Sequence, residues 1–552
     1  MDKRQLIQAV YGESAADTIL LEIEKVQEKY RSKIKTKNKE LTQGDVLVIS
    51  YGDQIKNGEE SKLSFLQSFL KKWAGEHISL VHLLPFYPYS SDDGFSVVDY
   101  YEVNPKLGSW DDIESFSSDF ELMFDAVINH ISQESDWLKR FLENDPLFKD
   151  YFTEADQAKD YSQVTRPRTL PLIHEFIDTN GELRHLWTTF SKDQVDINYA
   201  NPKVLIHILD LLLFYIQKGA RAIRLDAIGF MWKELGTNCI HLPQTHHLIQ
   251  LMRLAIEELA PATLLITETN VPHKENISYF GNGHNEAHLV YNFTLPPLLA
   301  YSILSGKTQK LIAWAKSLSL PSEKVCFFNF LASHDGVGVR PVDGILSVDE
   351  IGILTHAVVA NGGRVSFKTN SDGSESPYEL NTNYLSLMHG EEKDENSAIK
   401  RMILAHGIML AMPGLPSIYF HSLFGSLNDI DGMIESGINR RINRQKLRME
   451  EIELELKKEG SVRNQIYHQL IGLIAIRKKH AAFNPYHSFS FPEINDGAFV
   501  IERGKEDNKV VCLFNLTSQT MNFQNYTGHH DLISNTIFEG SLNAYGMVWL
   551  EK

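Results

Sequence analysis

Short, nearly unbroken apolar runs alternate with amphipathic stretches over most of this sequence. DVLVIS from Asp45, ISLVHLLP from Ile78, ELMFDAVINH from Glu121 to His130 and ARAIRLDA from Ala220 each read as a buried strand. So do TLLITE from Thr263 to Glu268, HLVYNF from His288 to Phe293, VCFFNFLASHD from Val325 to Asp335 and SIYF from Ser417 to Phe420. Runs of this length and composition suit parallel strands covered on both faces. Between them lie helical patterns: SKLSFLQSFLKKWAG closed by Gly75, PKVLIHILDLLLFYIQKG, THHLIQLMRLAIEELAP, and AIKRMILAHGIMLAMPG ended by Pro413 and Gly414. Eight buried strands separated by helices predict an α/β fold, a closed (β/α)8 TIM barrel whose site lies at the carboxyl ends of the strands. An open doubly wound sheet is the alternative, but no Gly-rich phosphate fingerprint follows an early strand.

Two connections are longer than a simple loop needs. Residues 131–200, after the third strand, and 336–397, after the seventh, read as inserted domains B and B′ that shape the pocket at the catalytic end. The barrel, domain A, is then built from 44–130, 201–335 and 398–483. Residues 1–43 form a helical extension that enters the barrel through the polar run KTKNKELTQG, and the short strands AFVIERG, KVVCLFNLT and MVWLEK place a small β domain at 484–552.

Composition narrows the function classes. Lys and Arg number 54 against 71 Asp and Glu, and the resulting net charge of −17 argues against nonspecific binding of nucleic acid or anionic membrane. The first twenty residues lack the apolar core of a secretory signal, and the densest apolar run, from Leu205, carries His207 and Asp210. A cytoplasmic protein is expected, without a membrane span. The three cysteines are far apart and form no zinc-spaced cluster, and no disulfide framework is expected. The expected partners are small molecules, with a homodimer left open as the assembly.

The chemistry gathers where strands end. The third strand ends in Asn129 and His130, the fourth in Arg224 and Asp226, the fifth in Glu268 and the seventh in His334 and Asp335. Each has a bland reading: His130 as a helix cap, Glu268 as a salt-bridge partner, Arg224 and Asp226 as an ion pair closing a strand. Together they place three carboxylates, two imidazoles and one guanidinium on one face. Two carboxyl groups about 5 Å apart serve a retaining glycosidase as nucleophile and proton donor. Arg224, two residues before Asp226, points to the same side of the pleat, and its charge is expected to keep Asp226 ionised. The chemistry these residues suggest is glycosyl transfer.

DAVINH, ARAIRLDAIGF, LLITETN and FLASHDGVG resemble the four signature regions of the α-amylase superfamily (glycoside hydrolase family 13), over nearly the whole chain from residue 45. That resemblance implies Asp226 as nucleophile, Glu268 as general acid/base and Asp335 as transition-state stabiliser, with His130, Arg224 and His334 binding sugar. SDDGFSVVDY, RPRTLPL, SKDQVDIN, LDAIGFMWKELGTNC and GINRRINRQ resemble the sucrose phosphorylase group. They imply Asp92 and Phe95 on the glucosyl ring, Arg168 and Gln194 on the acceptor side, and Arg444, or Arg440 in another register, on a sugar hydroxyl. The implied reaction is retaining phosphorolysis through a β-glucosyl ester on Asp226, with inorganic phosphate as co-substrate, α-glucose 1-phosphate as product and no metal or organic cofactor. SPYELNTNYLSL departs from the sucrose pattern, with Asn381 and Tyr384 nearest in register. CIHLPQTHH and ITETNVPHKENISYFGNGHNEAH are more similar to the glucosylglycerate phosphorylases, whose aglycone carries a carboxylate. Arg166, Arg168, His241 and His273 are the candidate cations for it, each also readable as a loop anchor. Phosphorolysis of 2-O-α-D-glucosyl-D-glycerate is therefore the expectation. The alternatives are sucrose, sucrose 6-phosphate or glucosylglycerol as donor, an α-glucosidase or transglucosidase, and a noncatalytic carbohydrate-binding homologue.

Overall fold

A computed structural model describes the chain except for residues 36–38, 57, 59–60, 370–373, 506–507 and 552. Parts of the polar run after Ile34 and of the turn-rich stretch after Asn361 lie outside the described residues. Eight parallel strands close into a barrel: β1 (Leu47–Ser50), β2 (Leu80–Leu83), β3 (Glu121–Ala126), β4 (Ala220–Leu225), β5 (Leu264–Thr267), β6 (Leu289–Tyr291), β7 (Cys326–Asn329) and β8 (Leu415–Tyr419). Sequence neighbours are paired around the ring, and β8 pairs with β1 through Val48 and Ile418. Every residue of β1, β2, β4, β5, β7 and β8 is buried, as strands packed between a filled lumen and a helical shell must be.

Most of the strands are shorter than the apolar runs, whereas β8 begins two residues before SIYF. β3 stops at Ala126, and His130 instead opens a second strand, His130–Ser132, paired antiparallel with Gln194–Asp196. β7 stops at Asn329 rather than reaching Asp335. Val127, Ile128, Phe330 and Leu331 remain buried beyond the strand ends, because loops fold over the top of the barrel. An apolar run therefore reports burial there, not strand length.

The segment between β3 and β4 contains a hairpin, Ile173–Ile177 with Leu183–Trp187. The segment between β7 and β8 contains a sheet of Val337–Gly338, Glu375–Asn381 and Arg364–Thr369, together with the helix Val348–Ala360. Both insertions leave from the carboxyl ends of strands and wall the same cleft. The amino-terminal helices Lys3–Tyr11 and Ala16–Arg31 pack on the barrel helices Pro243–Glu257 and Pro202–Gln217. A six-stranded sheet built around Ala498–Arg503, Val510–Asn515 and Met547–Glu551 closes the chain. Among the described residues, no helix is long and apolar enough to cross a membrane.

The entry to β8 has no tolerance for a side chain. Gly414 has φ +128°, and a Cβ there would strike the Phe327 carbonyl of β7. Gly414→Ala is expected to destabilise the barrel by roughly 2 kcal/mol or more, from backbone strain and steric overlap together. A thermal-unfolding midpoint equal to that of the unsubstituted protein would show that this approach is not close.

Candidate active site

The site begins with one cross-strand pair. Asp125 of β3 lies beside Arg224 of β4, and the guanidinium reaches the Asp125 carboxyl at 2.5 Å and Asp226 at 2.7 Å. The same guanidinium comes within 3.8 Å of Glu268, beyond β5. His82 of β2 completes the set at 2.7 Å from the other Asp125 oxygen. Ala227 sits in the left-handed region at φ +47°, which turns its backbone N–H to donate to Glu268 at 2.9 Å. A non-glycine residue held there stores about 1 kcal/mol or more, and here the strain joins the two carboxyl-bearing strands.

Burial and charge separate the three carboxyls expected to act. For Glu268, burial is the first cause and the neighbouring Asp226 charge adds to it, and they outweigh Arg224 to push its carboxyl up to about 7. Burial also lifts Asp226 above its ordinary value, with Arg224 and His130 pulling back only part of the rise. The Arg224 charge, expected to keep Asp226 ionised, does pull it down, but a fully buried carboxylate loses more hydration than one shared guanidinium restores. Asp335 goes the other way: burial would raise it, but Arg440 at 2.6 Å, then His334 and Arg444, hold it well below the usual carboxylate range. His334 is depressed to about 3, chiefly by burial, and His130 is lowered for the same reason. Both imidazoles are therefore neutral near pH 7.

These groups line a cleft at the top of the barrel, with Asp92, Phe95, His130, Arg168, Gln194, Asp226, Glu268, His334 and Asp335 on its wall. Phe95 and His334 stack, ring centres 4.5 Å apart and planes 4° apart, which makes a flat aromatic surface in the wall of the cleft. His130 Nε2 donates to the Phe95 carbonyl at 2.9 Å, and the Gln194 amide donates to the same oxygen at 3.0 Å. The turn that carries Phe95 is tight. Asp92 and Asp93 both have positive φ, and Gly94 has φ +113° where a Cβ would meet Pro85. The turn sends Asp92 to Arg168 at 3.1 Å and Asp93 to Arg441 at 2.6 Å and Arg444 at 2.7 Å.

The expectations for Arg444 on the glucosyl side and for the acceptor side fare unevenly. Arg444 is almost wholly buried and does not line the cleft; its guanidinium is engaged by Asp93 and by the His334 carbonyl at 2.7 Å. Arg440, in the alternative register, is on the wall and bridges Asp335 and Glu379. Asn381 and Tyr384 are also off the wall. Asn381 donates to Ser366 at 2.9 Å, and the Tyr384 hydroxyl donates to the Pro296 carbonyl at 3.2 Å. The hairpin passes behind the rim after Glu379, so Tyr378 and Glu379 face the cleft in their place. Arg166 does not line the cleft, His241 lies just behind Gly229 with Nδ1 at 2.7 Å from the Tyr279 hydroxyl, and His273 is stacked at 6.3 Å on Phe327, away from the site. Asp125, Asn270, Arg340, Tyr378 and Glu379 were not singled out from sequence. Only Asp125 carried a usable signal, as the charge in the buried run DAVINH. Among the described residues, no group of three or more His, Cys, Asp or Glu is arranged to hold a metal ion.

The profile of the alpha amylase catalytic domain matches residues 59–337. Glucosylglycerate phosphorylase of Escherichia coli (strain K12) is 45% identical over 521 residues, covering 93% of this chain and 93% of that protein. Sucrose phosphorylase of Streptococcus mutans serotype c is 28% identical, over 87% of this chain and 96% of its own length. The crystal structure of sucrose 6F-phosphate phosphorylase from Thermoanaerobacter thermosaccharolyticum shares the fold, with a TM-score of 0.75 at 24% identity, covering 86% of this chain and 94% of that one.

The electrostatics make the proton on Glu268 observable. Carboxyl-region infrared difference spectra against Glu268→Gln are expected to titrate with a midpoint near 7, the protonated band fading as pH rises through it. Asp226→Asn removes the adjacent negative charge and is expected to lower that midpoint. A midpoint in the ordinary carboxylate range, unmoved by Asp226→Asn, is the contrary outcome.

Proposed function

We propose that this chain, which belongs to the alpha-amylase family, is a retaining phosphorylase of 2-O-α-D-glucosyl-D-glycerate. The observation that carries the reading is the likeness, over nearly the full length, to a protein named glucosylglycerate phosphorylase, well above the likeness to sucrose phosphorylase. The geometry supplies a mechanism for it. Asp226 attacks the anomeric carbon while Glu268, a carboxyl with its proton still bound near neutrality, gives that proton to the departing oxygen of D-glycerate. The bond to glycerate breaks as the bond to the Asp226 oxygen forms, leaving a β-glucosyl ester. Phosphate then enters the vacated side and surrenders a proton to the Glu268 carboxylate as its oxygen attacks. The ester bond breaks, Asp226 regains its charge, and α-glucose 1-phosphate leaves.

Asp335 is the transition-state stabiliser in this scheme. Its depressed pKa keeps it anionic, suited to hold ring hydroxyls and to oppose the positive charge that grows at the anomeric carbon. The neutral imidazole of His334 offers an N–H donor to a hydroxyl, while the single N–H of neutral His130 is spent on the Phe95 carbonyl and fixes the turn that carries Phe95. Arg440 supplies the sugar-side guanidinium. Arg168 and Gln194 border the glucosyl floor through Asp92 and Phe95. No cofactor enters the scheme; phosphate is a substrate.

Incubation with α-glucose 1-phosphate and a panel of D-glycerate, glycerol, fructose and fructose 6-phosphate tests the assignment. Phosphate release is expected with D-glycerate, with retention of the α configuration in the glucoside; release chiefly with fructose overturns it. Asp226→Asn should lower the rate by roughly three orders of magnitude or more while the protein stays folded. Near-normal turnover in that variant would remove the double displacement.

A further inference from the structure

Five of the six arginines around the cleft are committed to carboxylates. Arg224 is held by Asp125 and Asp226, Arg168 by Asp92, Arg440 by Asp335 and Glu379, and Arg441 and Arg444 by Asp93. Arg340 differs. It lies on the cleft wall, half-buried, and has no hydrogen bond or ion pair to any carboxylate among the described residues. A guanidinium left unpaired in a cleft whose other cations are neutralised is the group there with capacity for an incoming anion.

Its position is on the leaving-group side. The general acid must face the oxygen that departs, so the residues just after Glu268 flank the aglycone. Asn270 is one of them, and a Cβ at Gly338, two residues before Arg340, would collide with its side-chain amide. On the other flank, Arg340 lies close enough to His241 for its charge to help keep that imidazole neutral; His241 backs Gly229, three residues beyond Asp226. Asn270 brings a second observation: its side-chain oxygen is buried and has no hydrogen-bond partner. The neighbouring Thr269 hydroxyl is already used, donating to Asn276 at 2.7 Å.

We propose that Arg340 and Asn270 form the aglycone half of the site, with the Arg340 guanidinium receiving the carboxylate of D-glycerate and the Asn270 side-chain oxygen accepting from its terminal hydroxyl. This rests on the reading of the chain as a glucosylglycerate phosphorylase and assigns the acceptor specificity within it. A planar guanidinium offers two parallel N–H donors to a carboxylate, so charge and shape both select an acidic aglycone over glycerol or a ketose. The acceptor's C2 oxygen, which Glu268 protonates, then lies between the anchored carboxylate and the anomeric carbon.

The test is the synthesis reaction from α-glucose 1-phosphate in the full-length enzyme, comparing Arg340→Gln and Arg340→Lys with the unsubstituted protein. Arg340→Gln is expected to raise KM for D-glycerate tenfold or more and to lower the D-glycerate to glycerol ratio of kcat/KM by a similar factor. KM for α-glucose 1-phosphate should move less than threefold, and Arg340→Lys should recover part of the ratio by restoring the charge without the fork. A rise in KM for α-glucose 1-phosphate as large as that for D-glycerate overturns the assignment, since Arg340 would then be a phosphate anchor. An unchanged D-glycerate to glycerol ratio overturns it as well. If the unsubstituted protein uses fructose or glycerol but not D-glycerate, the substrate reading falls and takes this assignment with it. If it uses D-glycerate and Arg340→Gln leaves KM alone, only the assignment falls.

Discussion

The buried Arg224 guanidinium is the interaction on which the rest of the site depends. It stands, buried, among Asp125, Asp226 and Glu268, and removing one partner of such a group leaves an uncompensated charge costing about 3–5 kcal/mol. The balance is uneven, three carboxyls facing one permanent cation. One proton must stay, and it stays on Glu268, whose pKa of about 7 reflects burial and the charge of Asp226 next door. The acid's protonation is thus a consequence of burying it beside Asp226 with only a shared arginine to offset the loss of hydration. On the proposed mechanism the same coupling recycles the site. Once Asp226 is esterified its charge is gone, the pressure holding the proton on Glu268 falls, and the carboxylate left by the first step is suited to accept a proton in the second.

The barrel and its insertions divide the labour. Strands β3, β4 and β5 hold the reacting carboxyls through main-chain ladders, so their spacing is set by the spacing of strands. The insertions contribute another part of the wall, Arg168 from one and Arg340 and Glu379 from the other, which on the proposed assignment is where a particular substrate is matched. Asp335 lies where the two systems meet. It follows β7, yet Arg440 from the segment after β8 neutralises it, and Glu379 in turn positions Arg440 with two hydrogen bonds at 3.0 and 2.6 Å. Asp335 is thus neutralised by ion pairing, yet its buried Oδ1 has no hydrogen-bond partner among the described residues, so a sugar hydroxyl that binds it has no hydrogen bond to displace there.

How much of this was legible follows from the same division. Eight strands and their order could be read because parallel barrel strands are continuously apolar, and the residues at their ends could be read because a charge at the end of a buried run is costly without a purpose. Strand lengths could not, since Val127, Ile128, Phe330 and Leu331 are buried by covering loops and look like strand in sequence. The acceptor side was legible in part. Asn381 and Tyr384 were placed by register across an insertion whose strand carries a bulge between Ser366 and Phe367, where no periodicity fixes which residue faces the cleft. Arg440 and Arg444 sit four apart in a short turn, and only the contacts with Asp93 and the His334 carbonyl decide which is withdrawn. Arg340 is one basic residue in a loop among 54 cations, and what distinguishes it, the lack of an anion beside it, is visible only in three dimensions.

The acidity of the protein then becomes informative about the cleft. A chain with a net charge of −17 repels anions at long range, but that field is screened over about 8–10 Å in physiological salt, so entry depends on the charges within the cleft itself. There, most guanidinia are cancelled by fixed carboxylates, which holds the local potential near balance and leaves affinity to individual contacts. That arrangement suits a reaction in which one small anion leaves and another takes its place. A strongly positive cleft would retain glycerate and phosphate alike and slow their exchange. A neutral one would leave the glucosyl ester open to water, the nucleophile always at hand. A nearly balanced wall with one uncommitted guanidinium lies between these limits: it admits an anion by a specific contact and releases it without having to overcome the whole cleft.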